Sequence, residues 1–152
     1  LKEVSRLSLK VLAVDVIRAR GHRLVKATHK STLEITREEF LTDRGDCIIG
    51  IMADKAAFHL SENIKRALQK PGSRLLMLLY SNGRVDFLVA EGSTDLKLED
   101  KRRIVVRKSS YIEPSTIGIR ASKSAGDLSR ELVESLKSEN ELLALLTVLA
   151  VE

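Results

Sequence analysis

The sequence has no tryptophan, one cysteine, two prolines and five aromatic residues in 152. A single thiol, Cys47, excludes an internal disulfide and suits a reducing compartment, so a cytoplasmic location is expected. No run approaches the roughly 20 apolar residues that span a bilayer. The longest, Leu142 to Val151, reads as a buried strand, and no membrane association is expected. The opening "LKEVSRLSLK" is too charged for a signal peptide. Leu1 stands where an initiator methionine is expected, so at least that residue is expected to have been lost. His22, His29, His59 and Cys47 fit no zinc-ligand spacing, so neither a metal nor a cofactor is expected. A Ser-His-Asp order, a phosphate-binding Walker loop and a dinucleotide glycine motif are all missing. Glutamine occurs once and asparagine three times, a depletion of thermolabile side chains that points to a thermophilic host.

What the chain does contain is a sizeable core and a mild basic bias. Hydrophobic residues make up 43% and charged residues 31%, with a net charge of +5. One domain, residues 1–152, is the expected organisation. The basicity admits an anionic small molecule or a nucleic acid as partner. With so few aromatics, base stacking has one evident candidate, Tyr111 after "RKSS".

Residues 9–21, 24–36 and 47–53 read as strands. Ala57, Leu60, Ile64, Ala67 and Leu68 then fall at helical spacing, with Asp54 as the expected N-cap and "KPG" as the stop. Two apolar runs around Asn82-Gly83 predict a hairpin. Residues 102–112 and 116–121 predict two more strands. A second helix follows, capped by Ser122 and carrying Ala125, Leu128, Leu132, Val133 and Leu136, and a strand closes the chain.

The order strand-strand-strand-helix-strand therefore occurs twice, and the residues repeat with it. Between 49–68 and 117–136, nine of twenty positions are identical, among them Gly50/Gly118 and Lys55/Lys123. "HKST" (29–32) resembles "RKSS" (107–110), and Ala19/Gly21 resemble Ala90/Gly92. Two similar halves, about 9–80 and 84–152, are expected to pack about a pseudo-twofold axis. The fold class that follows is α+β and β-rich, with about eight strands in a sandwich or barrel and two helices. The paired mid-strand glycines suggest a bulge or a close backbone approach.

Lys55 and Lys123 fall at the first helical position on this reading, where a cation gains nothing from the helix dipole. One explanation is an anion held by the helix N-terminus together with the lysine. The other is a salt bridge to a neighbouring carboxylate, such as Asp46 or Glu34, with the stem lying over apolar surface. The "HKST" and "RKSS" strands could bring hydroxyls and further cations to the same place. The candidate ligand-binding residues are therefore His29, Lys30, Ser31, Asp54, Lys55, Arg107, Lys108, Ser109 and Lys123.

The segments "GHRLVKATHKSTLEIT", "LTDRGDCIIGIMADKAA", "EGSTDLKLEDKRRIVVRKSSYI" and "IRASKSAGDLSRELVESL" together resemble an archaeal family described only as a domain of unknown function. The resemblance runs from about Val16 to the C-terminus. It implies an archaeal, cytoplasmic protein with a compact β-rich fold, and it implies no activity. The family often has Gly-His-Pro-Asn where this chain has Gly21-His22-Arg23-Leu24, which puts any role for that turn in doubt.

The function expected is binding of an anionic ligand: a nucleotide, a phosphorylated metabolite or RNA backbone. One alternative is a small enzyme using His29 with Asp46 or Asp54 as acid and base. The other is a structural or assembly subunit. The sequence does not fix the oligomeric state.

Overall fold

The computed structural model describes residues 8–151. Most of the charged N-terminal stretch read above, through Leu7, lies outside them. Among the described residues eight strands form two sheets, and two α-helices pack against them. The strands are β1 (Leu9–Arg20), β2 (Thr32–Thr36), β3 (Ile48–Gly50), β4 (Arg74–Ser81), β5 (Arg84–Glu91), β6 (Arg103–Arg107), β7 (Thr116–Gly118) and β8 (Glu141–Val151). The helices are α1 (Glu62–Leu68), between β3 and β4, and α2 (Arg130–Lys137), between β7 and β8. No helix among the described residues is long and apolar enough to cross a membrane.

The first sheet is antiparallel in the order β1-β8-β4-β5, and the second is mixed in the order β3-β2-β6-β7. Alternation along β4 and β8 sends Leu75, Met77, Leu79, Leu142, Ala144, Leu146 and Val148 inward. They join Leu33, Ile35, Ile104 and Val106 of the second sheet in one core. Ile64 and Leu68 of α1, and Leu132, Val133 and Leu136 of α2, complete it. Single antiparallel bridges stitch the sheet edges together, Arg20 to Ile51 on one side and Glu91 to Ile119 on the other. The molecule is thus a sandwich whose two seams are closed like those of a barrel.

Contacts recur between residues 9–81 and 84–151 in the same order. Glu34 N donates to Cys47 O at 2.8 Å where Val105 N donates to Ser115 O at 2.9 Å. Met52 N donates to Glu38 O where Arg120 N donates to Ser109 O. Ala27 and Leu98, buried at corresponding places, both have left-handed backbone, with φ of 50° and 54°. Gly50 and Gly118 mark a close approach to the first sheet: a Cβ on Gly50 would meet Leu142 Cδ2 at 2.8 Å and Ala19 Cβ at 3.3 Å, and one on Gly118 would meet Ala90 Cβ at 2.8 Å and Leu75 Cδ2 at 3.2 Å.

Three expectations need correction. The strand expected over 24–36 is β2 alone, because Ala27 turns the chain and His29 Nδ1 accepts the Ser31 and Thr32 N–H groups at 3.1 and 3.0 Å. The other strands over 47–53, 102–112 and 116–121 are shorter for the same kind of reason, ending at Gly50, Arg107 and Gly118. Each expected long helix is a single 3-10 turn (Ala57–His59, Ala125–Asp127) followed by a short α-helix. Ser61, not Asp54, caps α1 by accepting the Ile64 N–H at 3.3 Å, and Ser129, not Ser122, stands at the N-cap of α2. Asp54 and Ser122 instead extend the seams. Asp54 bonds Arg18 through its N–H and its carboxylate, and Ser122 bonds Val89 through its N–H and its hydroxyl.

Candidate functional site

Lys55 and Lys123 therefore precede the helices rather than open them. Each ends in a close ion pair with an acid on an edge strand, Lys55 Nζ at 2.5 Å from Asp15 and Lys123 Nζ at 2.5 Å from Asp86. Both aspartates also accept N–H groups from the helix caps, Ser61 to Asp15 at 3.1 Å and Ser129 to Asp86 at 2.8 Å. The repeated lysine is a repeated clamp between an edge strand and a helix start, and its partners are not Asp46 or Glu34.

The β2–β6 pair runs through the middle of the second sheet, with Thr32 opposite Arg107 and Thr36 opposite Arg103. "HKST" and "RKSS" meet at one end of it. Lys108 N donates to Ser31 O at 2.8 Å, and Arg107 Nη1 donates to Thr32 Oγ1 at 3.4 Å. These two segments are neighbours, not equivalents. The counterpart of His29 is Asp100, whose carboxylate accepts the Arg102 and Arg103 N–H groups as His29 Nδ1 accepts those of Ser31 and Thr32. With Nδ1 so engaged, His29 is a turn former. Asp46 touches it through the backbone, accepting the Thr28 and His29 N–H groups. Lys108 is neutralised by Asp127 at 3.2 Å, Lys30 is exposed, and Ser109 Oγ accepts the Tyr111 N–H. His29, Ser31, Arg107, Lys108 and Ser109 thus share one end of the pair, while Asp54, Lys55 and Lys123 lie along the seams.

Beneath that end, on the outer face of β2 and β6, lies a covered ionic group. Arg107 pairs with Glu113 at 3.2 Å, and Arg103 reaches Glu34, Asp100 and Glu113 at 3.6–3.7 Å. Desolvation pushes the Glu34 carboxyl above its usual range against the pull of Arg103. Desolvation, then the charges of Glu34 and Asp46, push the Cys47 thiol up to about 12. Such a thiol is almost all protonated at neutral pH, which argues against nucleophilic use. Native protein at pH ~8 should resist iodoacetamide for hours while denatured protein is alkylated within minutes. Equal rates in the two states would show that Cys47 is reactive.

The opposite end of β2–β6 carries the more unusual chemistry. There Asp127 has His59 as its counterpart, and Lys108 has Arg37. Asp127 Oδ2 accepts the Ser124 N–H at 2.9 Å and Lys108 Nζ at 3.2 Å, so every donor meets an acceptor. His59 Nδ1 accepts the Ala56 N–H at 3.0 Å. A neutral imidazole has one bare nitrogen and one N–H, so Nε2 bears the proton. It faces Arg37 Nη1 at 3.2 Å, donor to donor, and among the described residues the only acceptor Nη1 reaches is the Lys101 carbonyl at 3.5 Å.

Charge builds up around that pair. Phe58, 44% exposed, has Lys65 and Lys101 ammonium groups each 4.9 Å from its ring centroid. Among the described residues neither Arg37 nor Lys101 has a carboxylate within ion-pair distance, and Lys65 has only Glu62 at 3.9 Å. Burial first, then the charges of Arg37, Lys101 and Lys65, hold the His59 imidazole below its usual 6.5. Phe58 escaped the sequence reading because helical spacing placed it inside a helix. A groove of about 430 Å³ between α2 and the β4–β5 turn offers less. Its polar groups are already engaged: Ser135 Oγ bonds Ser81 and Asn140, Ser138 Oγ donates to Glu134 O, and Arg84 pairs with Glu131 at 3.4 Å.

The class this architecture defines is a β-rich α+β domain with a cationic, aromatic patch at one end of its central strand pair. The chain belongs to the family described as a domain of unknown function, DUF371, which matches residues 17–149. An uncharacterised protein of the archaeon Methanocaldococcus jannaschii is 45% identical over 128 residues, covering 84% of this chain and 94% of the relative.

Proposed function

We propose that this protein binds a nucleotide, free or within a single strand, at the patch formed by Arg37, Phe58, His59, Lys65 and Lys101. The observation that carries this reading is the meeting of Arg37 Nη1 and His59 Nε2–H at 3.2 Å, with no acceptor among the described residues nearer than the Lys101 carbonyl at 3.5 Å from Nη1. A phosphate oxygen bridging the two nitrogens from the solvent side accepts a hydrogen from each and offsets the local charge. Phe58 beside it offers a ring face for a base, its two lysines being free to swing onto phosphate oxygens. The corresponding place in the other half carries Asp127 and Gly126, an acid and no ring, so it rejects the same ligand. The reading keeps the anionic ligand expected from the charge and moves its site away from Lys55 and Lys123.

The test is a titration by fluorescence or calorimetry with a nucleoside monophosphate and with a short single-stranded oligonucleotide. His59→Asp, which copies the acid of the other half, should weaken binding at least tenfold, and Phe58→Ala should weaken it several-fold. An anion seated there favours the imidazolium, so affinity should rise as pH falls from ~8 to ~5.5. His59→Gln should flatten that rise. A steep fall in affinity with salt for the oligonucleotide alone would assign the site to a polymer, since many phosphate contacts release many counterions. Unchanged affinity in His59→Asp, or no binding by wild type, would overturn the proposal.

A further inference from the structure

The middle of the first sheet's outer face is apolar across all four strands, and charged residues (Arg18 and Arg20 of β1, Arg74 of β4, Glu91 of β5, Glu141 of β8) stand only in its end rows. Alternation opposite to the core residues places Val14 and Val16 of β1 there, with Leu143, Leu145, Thr147 and Leu149 of β8. Leu76, Leu78 and Tyr80 of β4 and Val85, Phe87 and Val89 of β5 complete it. Val14 is 64% exposed, Phe87 53% and Leu145 41%. The registers align these residues in rows. Val16, Leu145, Leu78 and Phe87 make one, and Val14, Thr147, Leu76 and Val89 the next. Neither row contains a charge. Such a face resembles half of a sandwich core more than a wet surface.

We infer that this face is covered by the same face of a second copy of this chain. Four strands about 4.8 Å apart and four rows about 7 Å apart span roughly 500 Å² in plan, and more in accessible surface. Doubled, this approaches the ~1,200–2,000 Å² of stable interfaces. The charges at the rim decide the kind of partner. Arg18 pairs with Glu141 at 4.0 Å at one corner, and Arg120 pairs with Glu91 at 3.1 Å at another. Both signs stand at both ends, Glu141 beside Arg18 and Arg20 and Glu91 beside Arg74 and Arg120, so each end offers donors and acceptors to a copy of itself. A twofold pairing brings an Arg–Glu corner onto an Arg–Glu corner, which is self-complementary. The row from Val16 to Phe87 is itself balanced about the Leu78–Leu145 contact, so a copy turned about that point lays row on row.

The test is the mass in solution by light scattering and by sedimentation equilibrium over a hundredfold range of concentration. Wild type should have twice the 16.9 kDa of one chain. Leu145→Lys and Phe87→Lys should each give the single-chain mass. Val14→Lys, at the exposed edge strand, provides a milder variant that keeps the fold. Far-ultraviolet circular dichroism of the variants should match wild type. A single-chain mass for wild type throughout the range would overturn the inference, and binding of that monomer to phosphatidylglycerol vesicles would give the face to a lipid surface. A double mass that survives all three substitutions would overturn it too, by placing the contact elsewhere.

Discussion

Gly21→Ala and Gly92→Ala should each cost about 3–4 kcal/mol, lowering the melting temperature by roughly 10 °C, or should prevent folding. Both glycines end a strand of the first sheet against the last turn of a helix. A Cβ on Gly21 would fall on the backbone carbonyl of Leu136, with the Leu136 Cα at 2.6 Å. A Cβ on Gly92 would fall on the Leu68 carbonyl oxygen and the Ser73 hydroxyl, with the Leu68 carbonyl carbon at 3.1 Å. Backbone cannot swing aside as a methyl can, so the helix end must retreat. That retreat also strains Gly21 N–H to Asn140 O at 2.8 Å and Gly92 N–H to Ser73 O at 3.0 Å. Gly72 serves as control. Its φ is +76° and nothing lies within 4 Å of its Cβ position, so Gly72→Ala should lose only about 1 kcal/mol of backbone preference. Thermal and urea unfolding read all three. Losses at Gly21 and Gly92 no larger than at Gly72 would show that the helix ends give way freely.

Sequence was most informative where one local rule decided the outcome. The β-branched, apolar runs over 9–21 and 141–151 and the Asn82-Gly83 turn located β1, β8, β4 and β5 within a residue or so. It was least informative where a distant partner decided. Ala57, Leu60, Ile64 and Leu68 are all buried, and a 3-10 turn plus a helix satisfies that spacing as well as one long helix does. The break is imposed by Asp15, which takes the Ser61 N–H from a strand 46 residues away. Chemical likeness paired "HKST" with "RKSS", yet likeness does not fix equivalence. The bonds of Glu34 and Val105 align Thr36 with Arg107, and antiparallel pairing merely makes the two basic segments neighbours. The Arg37–His59 encounter was unreadable, because neither residue is unusual alone. Only the contrast with Lys108–Asp127 exposes the missing acceptor.

Asp86→Ala should cost about 3 kcal/mol, and Asp15→Ala about the same. Each carboxylate is nearly buried, 8% and 10% exposed at the side chain, while its lysine is about a third exposed. That places the loss at the low end for a broken buried pair. The damage exceeds the ion pair, since Asp86 also accepts the Ser129 and Phe87 N–H groups, and Asp15 those of Ser61 and Val16. Lys55→Ala should cost less, because the aspartate keeps its backbone donors. The two sites lie on opposite edge strands, so their losses should add. Acid should reproduce the effect. Burial pushes both carboxyls up, but the lysine and the backbone donors outweigh it and hold each below 3.8. A proton therefore binds each aspartate more readily in the unfolded chain than in the folded one. The stabilisation is complete above the unfolded value and drains away as pH falls through the folded one. Urea midpoints from pH ~7 down to ~2 should drop steeply below ~4 in wild type and less steeply in the Asp15→Asn, Asp86→Asn double variant. Parallel acid limbs would assign the sensitivity to other carboxylates and reduce the repeated lysine to a surface contact.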